Sequence, residues 1–352
     1  MTREYYLDLA AQGLRMPIGT DLVLHEKSDP KAIVQDGTRL GQVVLDAADR
    51  FHTPLAFALM DLMLEKAALL EMLGISESAD TYHFSSCPTD AMLAQFQTQM
   101  QAPLPPRMQA SCAALRHVVK AGPKYLPIGM SIGPVSLMTK LLADPITPIY
   151  IAGTGTTAAE DDEVRTLECV LAMATSMVLR SVTAQIQAGA KAICIAEPTA
   201  NLAFFSPKQL SGAASVWERY VMANNRRIKA LLDAHGVDLI FHCCGELVDS
   251  MVEDFCTLRP VILSLGASRK LWEDARIVPK DIVLYGNLPT KKFYSDDVIS
   301  PQQVTDLTRQ LLTNMRRAGH PFILGSECDV LSVPGCEATI LRKVELMLTC
   351  NV

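Results

Sequence analysis

The sequence has few aromatic residues and no long uncharged apolar run. Aromatic side chains make up 6% of the 352 residues. The longest uncharged stretches, 125–139 and 145–159, are too short and too rich in Gly and Pro to cross a bilayer. The first residues lack the basic segment followed by an apolar segment that is typical of a secretion signal. We therefore expect a cytoplasmic protein that does not interact with membranes.

Basic runs with interleaved aromatic residues are also missing. The formal net charge is −6, and Lys and Arg are spread along the chain. Because nucleic-acid backbones are bound by clustered positive charge, we expect no nucleic-acid partner. The apolar fraction of 49% with 20% charged residues is typical of a globular chain that buries a large core.

Cysteine, in contrast, is abundant. The chain has ten cysteines. Without a secretion signal, they are better interpreted as reduced thiols or metal ligands than as a disulfide framework. Most are expected to pack as small apolar side chains.

Strand-like and helix-like stretches alternate from residue 54 to the end of the sequence. Short apolar runs bounded by turn residues predict eight strands, at residues 55–60, 81–84, 127–132, 192–196, 238–242, 261–265, 282–285 and 322–325. Helical spacing lies between them, at residues 62–73, 135–142, 164–187, 217–235, 247–255 and 301–318. The alternation predicts an α/β protein with a (β/α)₈ TIM barrel at 54–352, although an open doubly wound sheet also fits.

Residues 1–53 are predicted to be an N-terminal extension of this barrel. Helical spacing at 4–12 and 38–51 flanks a short predicted strand at 21–24. We interpret this segment as an addition to the barrel and not as a separate domain.

Side chains that can bind a metal follow the predicted ends of the fifth and eighth strands. His242 and Cys244 are two residues apart, so in an extended segment both point the same way. Cys328 is distant in sequence, but a barrel brings all strand ends to one rim. One imidazole and two thiolates suit zinc with a fourth position open for substrate. The spacing alone is a weak signal, because a Cys-rich chain supplies such triples by chance.

Two polar side chains follow other predicted strand ends. Glu197, after the fourth strand, could occupy the fourth position on zinc or orient substrate, and it could equally be a solvated or helix-capping carboxylate. Asn287, after the seventh strand, could hydrogen-bond substrate or close a turn. Both are candidate catalytic residues. Cys243, between the two metal-ligand candidates, is expected to face the opposite way as a packed thiol.

Motifs along nearly the whole chain resemble the uroporphyrinogen decarboxylase superfamily. The matching segments are residues 60–67 with 73–74, 132–135, 187–193, 196–201 with 206–207, 285–287 and 334–337. Within the superfamily, His-x-Cys-Gly and a Cys in the last strand-end loop resemble the zinc methyltransferases typified by methylcobamide:coenzyme M methyltransferase. The resemblance implies that His242, Cys244 and Cys328 bind Zn²⁺.

The decarboxylase branch of the superfamily has a different early segment. It carries a Met-Arg-Gln-Ala-Gly-Arg sequence soon after an early proline, whereas residues 18–25 after Pro17 contain no arginine here. This difference argues against decarboxylation of a substrate with eight carboxylates.

The resemblance also implies substrates and a partner. A methyl group would pass from a methylcobamide to a small thiol such as coenzyme M or homocysteine. The sequence lacks the Asp-x-His-x-x-Gly segment of cobalamin-binding domains, and the nearest fragment, at 233–236, does not match. We therefore expect a separate corrinoid protein to supply the methylcobamide transiently. A corrinoid-loading methyltransferase, a metal-free decarboxylase and a non-catalytic barrel are the alternatives.

Overall fold

The computed structural model describes residues 2–210 and 215–351, and its strands form one parallel sheet. Within these residues the sheet has seven strands in the order β1 to β7. Each strand pairs with the next one in the chain, without a reversal of order. The strands are β1 (Leu55–Phe57), β2 (Leu126–Ile132), β3 (Ala192–Ala196), β4 (Asp238–Cys243), β5 (Ile262–Leu265), β6 (Val283–Leu288) and β7 (Phe322–Ser326).

An extended N-terminal segment, residues 15–18, lies between β7 and β1. It makes isolated parallel bridges to β7 and to the loop after it, and the Met16 amide donates to the Leu324 carbonyl at 2.9 Å. Beyond it, the Thr20 hydroxyl donates to the carbonyl of Phe57, the last residue of β1, at 2.8 Å. The segment therefore takes the place of an eighth strand and closes the sheet.

Helices connect the strands and cover the outside of the sheet. They are α1 (Arg3–Ala11), α2 (Thr20–His25), α3 (Pro30–Ile33), α4 (Gly37–Arg50), α5 (Leu64–Met72), α6 (Asp90–Gln99), α7 (Pro106–Lys120), α8 (Pro134–Leu141), α9 (Ile146–Gly153), α10 (Asp162–Gln187), α11 (Ala223–Ala234), α12 (Asp249–Thr257), α13 (Leu271–Asp274), α14 (Pro301–Ala318) and α15 (Glu337–Thr349). Short 3₁₀ turns span Pro207–Gln209 and Thr290–Lys292, and a π-helical turn, Trp217–Met222, leads into α11.

Local sequence signals explain where the longer helices begin and end. The Asp161 side chain accepts from the amides of Glu163 and Val164 at the start of α10. Ser300 and Gln303 form a capping box at the start of α14. Gly319, with φ of 60°, ends α14 in the left-handed conformation that glycine adopts without steric cost.

The strand order distinguishes between the two predicted architectures. A doubly wound sheet reverses its strand order at a switch point, whereas consecutive order with closure is typical of a barrel. The predicted α/β TIM-barrel fold with N-terminal helices is confirmed, and the open sheet is excluded.

Two predicted strands are wrong in detail. Residues 81–84 do not form a strand. The amides of Thr81 and Tyr82 donate to the Ser78 carbonyl in turns, and Phe84 makes a single bridge to Leu142. The predicted strand at 21–24 lies in helix α2. Its consecutive residues 22–24 are apolar because the helix is buried there, and not because they form a strand. The predicted fourth, fifth, seventh and eighth strands are consequently β3, β4, β6 and β7.

Two apolar layers make up the core. Inside the barrel, side chains such as Phe57, Met130, Cys194 and Tyr285 pack on one another. A larger cluster between the sheet and the helices includes much of α10. Because alternate residues of each strand point to these two layers, the strands are buried on both faces, as in other barrels.

Among the residues that the structure describes, one helix, α10, is long and apolar enough to cross a membrane by length and composition. Its most apolar window is 56% buried inside the protein. In this structure α10 packs against α8, α9 and β2, so it serves as a core helix of the barrel.

Tyr285 gives a test of barrel closure. Its hydroxyl donates to the buried Met16 carbonyl at 3.0 Å and lies 3.2 Å from the Ser326 hydroxyl. Because Tyr285→Phe leaves the Met16 carbonyl without this donor, we expect the free energy of unfolding to fall by about 1–2 kcal/mol. Tyr294→Phe is the control, since Tyr294 is exposed. Equal urea midpoints for both variants would show that the hydroxyl does not hold the N-terminal segment.

Candidate metal centre

Three potential ligands converge at the carboxyl end of the barrel. Ligand atoms of His242, Cys244 and Cys328 all lie within 4.8 Å of one another. His242 lies near the end of β4, Cys244 directly follows that strand, and Cys328 lies in the loop after β7. The structure thus brings together the three residues that the sequence nominated as metal ligands.

The orientation of His242 leaves one ring nitrogen available. Nδ1 lies 2.8 Å from the hydroxyl oxygen of Ser264 on β5, whereas Nε2 is buried without a hydrogen-bond partner. With the proton on Nδ1 donated to Ser264, the Nε2 lone pair is free. A histidine fixed through one nitrogen and unpaired at the other is the usual arrangement of a metal ligand. His242 and the two cysteines therefore fit a metal ion by geometry and by donor type.

The two sulfurs interact strongly with each other. The hydrogen bond from Cys328 lowers the pKa of Cys244 to about 3, against the opposing effect of burial, and His242 adds to the lowering. The same hydrogen bond, together with burial, raises the pKa of Cys328. The hydrogen bond between the sulfurs favours the thiolate of Cys244, and a soft cation that displaces the remaining proton would have two thiolate ligands.

Lys291 is a member of this site that the sequence did not reveal. It lies in the 3₁₀ turn after β6. Burial opposes its positive charge, but the nearby Cys244 and Cys328 sulfurs raise its pKa above the ordinary value of a lysine. Its position in the sequence, three residues beyond the end of β6, could have predicted this placement, because residues just past a strand end lie at the carboxyl rim of a barrel.

Glu327 is a second side chain that the sequence did not reveal. One carboxylate oxygen accepts from the Lys291 amide and the other from the Ala267 amide, both at 3.3 Å. The carboxylate thereby links the loops after β5, β6 and β7, and it fixes the backbone directly before Cys328.

Glu197 is buried at the end of β3 and lies against the start of α8. Its oxygens accept from the Val135 amide at 3.2 Å and from the Ser136 amide at 2.8 Å, and the Asn225 side-chain amide donates at 3.1 Å. Burial raises the pKa of Glu197, and these donors act in the opposite direction. The contacts match the helix-capping alternative. A ligand or catalytic role for Glu197 stays a prediction.

Asn287 lies in β6 and joins two segments of backbone. Its side-chain amide donates to the Gly266 carbonyl at 2.7 Å and to the Arg269 carbonyl at 2.9 Å. These contacts hold the loop after β5 in place. A direct contact between Asn287 and substrate also stays a prediction.

The neighbouring cysteines are placed differently from the three candidate ligands. Cys243 points away from the site, is completely buried, and donates to the Ala200 carbonyl at 3.4 Å. Burial raises its pKa. Cys336 directly precedes α15.

Comparison with known proteins places the chain in a family. The sequence matches the family described as uroporphyrinogen decarboxylase (URO-D) over residues 21–337. No curated protein matches the sequence. A solved structure of a methyltransferase from Methanosarcina mazei has a TM-score of 0.66 and 16% sequence identity, and the match covers 99% of this chain and 98% of that chain. At that identity the likeness is one of fold. The predicted superfamily is confirmed by the match over most of the sequence: the chain belongs to the uroporphyrinogen decarboxylase family.

Proposed function

We propose that this protein is a zinc-dependent methyltransferase that moves a methyl group from a methylated corrinoid to a thiol. The observation that carries the proposal is the cluster of His242, Cys244 and Cys328, with ligand atoms within 4.8 Å of one another. The likeness in fold to a methyltransferase agrees with it.

The donor set favours zinc over harder cations. One imidazole nitrogen and two sulfurs match the borderline softness of Zn²⁺, and three protein ligands leave a fourth position for substrate. When bound, zinc supplies a Lewis acid that keeps a thiol in its nucleophilic thiolate form near neutral pH.

The side chains around the ligands support this chemistry. Ser264 fixes the ring of His242. Two cysteine thiolates would balance the charge of Zn²⁺, so a third thiolate would make the site anionic. Lys291 places a positive charge beside the sulfurs and offsets that excess.

The transfer itself balances as a nucleophilic substitution. The acceptor thiol would release its proton to solvent, and its sulfur would form a bond to the methyl carbon. The carbon–cobalt bond breaks, and its electron pair stays on cobalt, which is thereby reduced.

The corrinoid is expected to arrive on another protein. The fragment at 233–236, nearest to a cobalamin-binding motif, lies at the C-terminal end of α11 and in the turn after it. A transient corrinoid-protein partner would dock over the mouth of the barrel, where the ligands lie. All ten cysteines are free thiols, which fits a reducing, cytoplasmic setting.

A first prediction concerns turnover. Given methylcobalamin and a panel of small thiols, the zinc-loaded protein should demethylate the cobalamin, which is visible as a change in the corrinoid spectrum. Chelation of zinc should abolish the reaction. If methylated donors instead methylate reduced cobalamin, the protein is the corrinoid-loading enzyme; coproporphyrinogen formed from uroporphyrinogen would favour the decarboxylase.

A second prediction separates a ligand cysteine from a bystander. Cys328→Ser replaces a thiolate with a poorly ionising hydroxyl, so zinc affinity and methyl transfer should each fall by about 100-fold or more. Cys336→Ser should cost at most ~1–2 kcal/mol of stability and retain zinc. Zinc content and turnover of both variants decide the matter. If Cys328→Ser keeps zinc while Cys336→Ser loses it, Cys328 is not the third ligand.

A third prediction concerns the group that orients His242. Ser264→Ala removes the acceptor at Nδ1, so the imidazole loses its fixed orientation and zinc affinity should fall by about 10–100-fold. Competition with a chromophoric chelator measures this change. Ser176→Ala is the control, because Ser176 is partly exposed on α10 and its hydroxyl donates to the Ala172 carbonyl of the same helix. Unchanged affinity in Ser264→Ala would mean that another group fixes the ring.

A further inference from the structure

Two cysteines outside the metal centre, Cys87 and Cys169, lie next to each other. Cys87 belongs to the segment before α6, and Cys169 lies on α10. Their side chains are joined by a hydrogen bond between the thiols. Both residues are partly exposed, whereas Cys112, Cys194 and Cys256 are buried. The pair therefore combines contact between two thiols with access from outside.

An open cavity leads to Cys87. It has a volume of about 440 Å³, and Cys87 and Thr166 both lie in its wall. Thr166 precedes Cys169 by three residues on α10, so these two side chains lie on the same face of the helix. Pockets of about 300–1,000 Å³ hold small molecules in other proteins. A small reagent that enters the cavity therefore meets Cys87, which in turn contacts Cys169.

The two thiols differ in their surroundings. Burial raises the pKa of Cys169 to about 11, and the neighbouring Cys87 sulfur adds to the rise through its charge and its hydrogen bond. Cys169 therefore keeps its proton and donates it to Cys87, whose sulfur is the one at the cavity. Because exchange between thiols and disulfides depends on access to the attacking sulfur, Cys87 is placed to react first and Cys169 second.

The segment that carries Cys87 is held at both ends. Phe84 makes a bridge to the residue that follows α8, and the Thr89 hydroxyl caps the start of α6. Between these anchors Ser85 and Ser86 are exposed. A disulfide requires the two sulfurs to approach to about 2.05 Å, closer than a hydrogen bond brings them. A local shift of this short segment supplies the approach, while α10 stays packed in the core.

We propose that Cys87 and Cys169 are a modification site, at which a small-molecule disulfide oxidises the pair to a reversible intramolecular disulfide. The Cys87 sulfur attacks the reagent, releases one small thiol and leaves a mixed disulfide on Cys87. The Cys169 thiol then gives up its proton and attacks the Cys87 sulfur, and the second small thiol leaves. The two cysteines lose two electrons and two protons, and the reagent gains both and becomes two thiols.

The product ties the segment before α6 to α10. Neither cysteine is a candidate metal ligand, so this inference is independent of the proposed function. It adds a response to the balance between thiols and disulfides in the surroundings of the protein.

Oxidation of the folded protein tests the site. Zinc-loaded protein is treated with bis(2-hydroxyethyl) disulfide, the remaining thiols are alkylated, and unreduced peptides are mapped by mass spectrometry. A peptide that links Cys87 to Cys169 should form and should disappear after treatment with dithiothreitol. In urea the same reagent should show no preference for this pair, because the contact between the thiols exists only in the folded chain. Absence of the linked peptide from the folded protein, or equal yields in both conditions, overturns the inference.

Single substitutions test the order of attack. Cys169→Ser lacks the second thiol, so Cys87 should keep half of the reagent as a stable mixed disulfide. Cys87→Ser lacks the thiol at the cavity, so the reagent should modify Cys169 at least about tenfold more slowly than it modifies Cys87 in Cys169→Ser. Cys336→Ser is the matched control, because Cys336 is also partly exposed, and it should leave the yield of the linked peptide unchanged. Faster modification of Cys169 than of Cys87 would overturn the assigned order.

Thermal unfolding tests whether the new bond fits the native fold. A cross-link between segments far apart in the sequence restricts the unfolded chain, so oxidised wild type should unfold about 5 °C above the reduced protein. Cys87→Ser treated in the same way should show no rise. An unchanged or lower midpoint in oxidised wild type would overturn the claim that the disulfide ties the segment before α6 to α10.

Discussion

Hydrogen bonds between the N-terminal segment and β7 close the sheet, and this closure decides where the functional side chains lie. Residues 15–18 occupy the gap between β7 and β1, held through the Leu324 carbonyl and the Tyr285 hydroxyl. Parallel strands in a closed ring present all their carboxyl ends at one rim. For that reason the ends of β4 and β7, far apart in sequence, supply ligands to one point.

The rim combines groups that would be unfavourable one at a time. His242 is buried with a free nitrogen, Cys244 favours its thiolate, and Lys291 is a cation beside the two sulfurs. Together they offset one another, because the negative sulfur stabilises the ammonium group and the ammonium group stabilises the sulfur. Such a set of perturbed groups is typical of a functional site, and here its donor types agree with the zinc chemistry that we propose.

Two buried carboxylates at the same rim differ in their partners. Glu197 faces the first amides of α8, where the helix dipole and two N–H donors satisfy its charge. Asp329, after β7, has two buried carboxylate oxygens that meet no hydrogen-bond partner of good geometry among the described residues. The first carboxylate is therefore suited to holding β3 and α8 together, whereas burial without a partner raises the pKa of the second.

The sequence by itself determined the barrel and the nominated ligands, because both depend on short-range patterns: the alternation of strand-like and helix-like runs, and a His and a Cys two residues apart after a strand. Most predicted helices agree with the structure to within about two residues. The N-terminal segment that takes the place of an eighth strand, the helix at 20–25 and the contacts of Glu197 and Lys291 were decided only by tertiary structure. Each of these depends on which loops meet at the rim, and a hydrogen bond or ion pair acts only over a few ångströms between residues that the sequence separates widely.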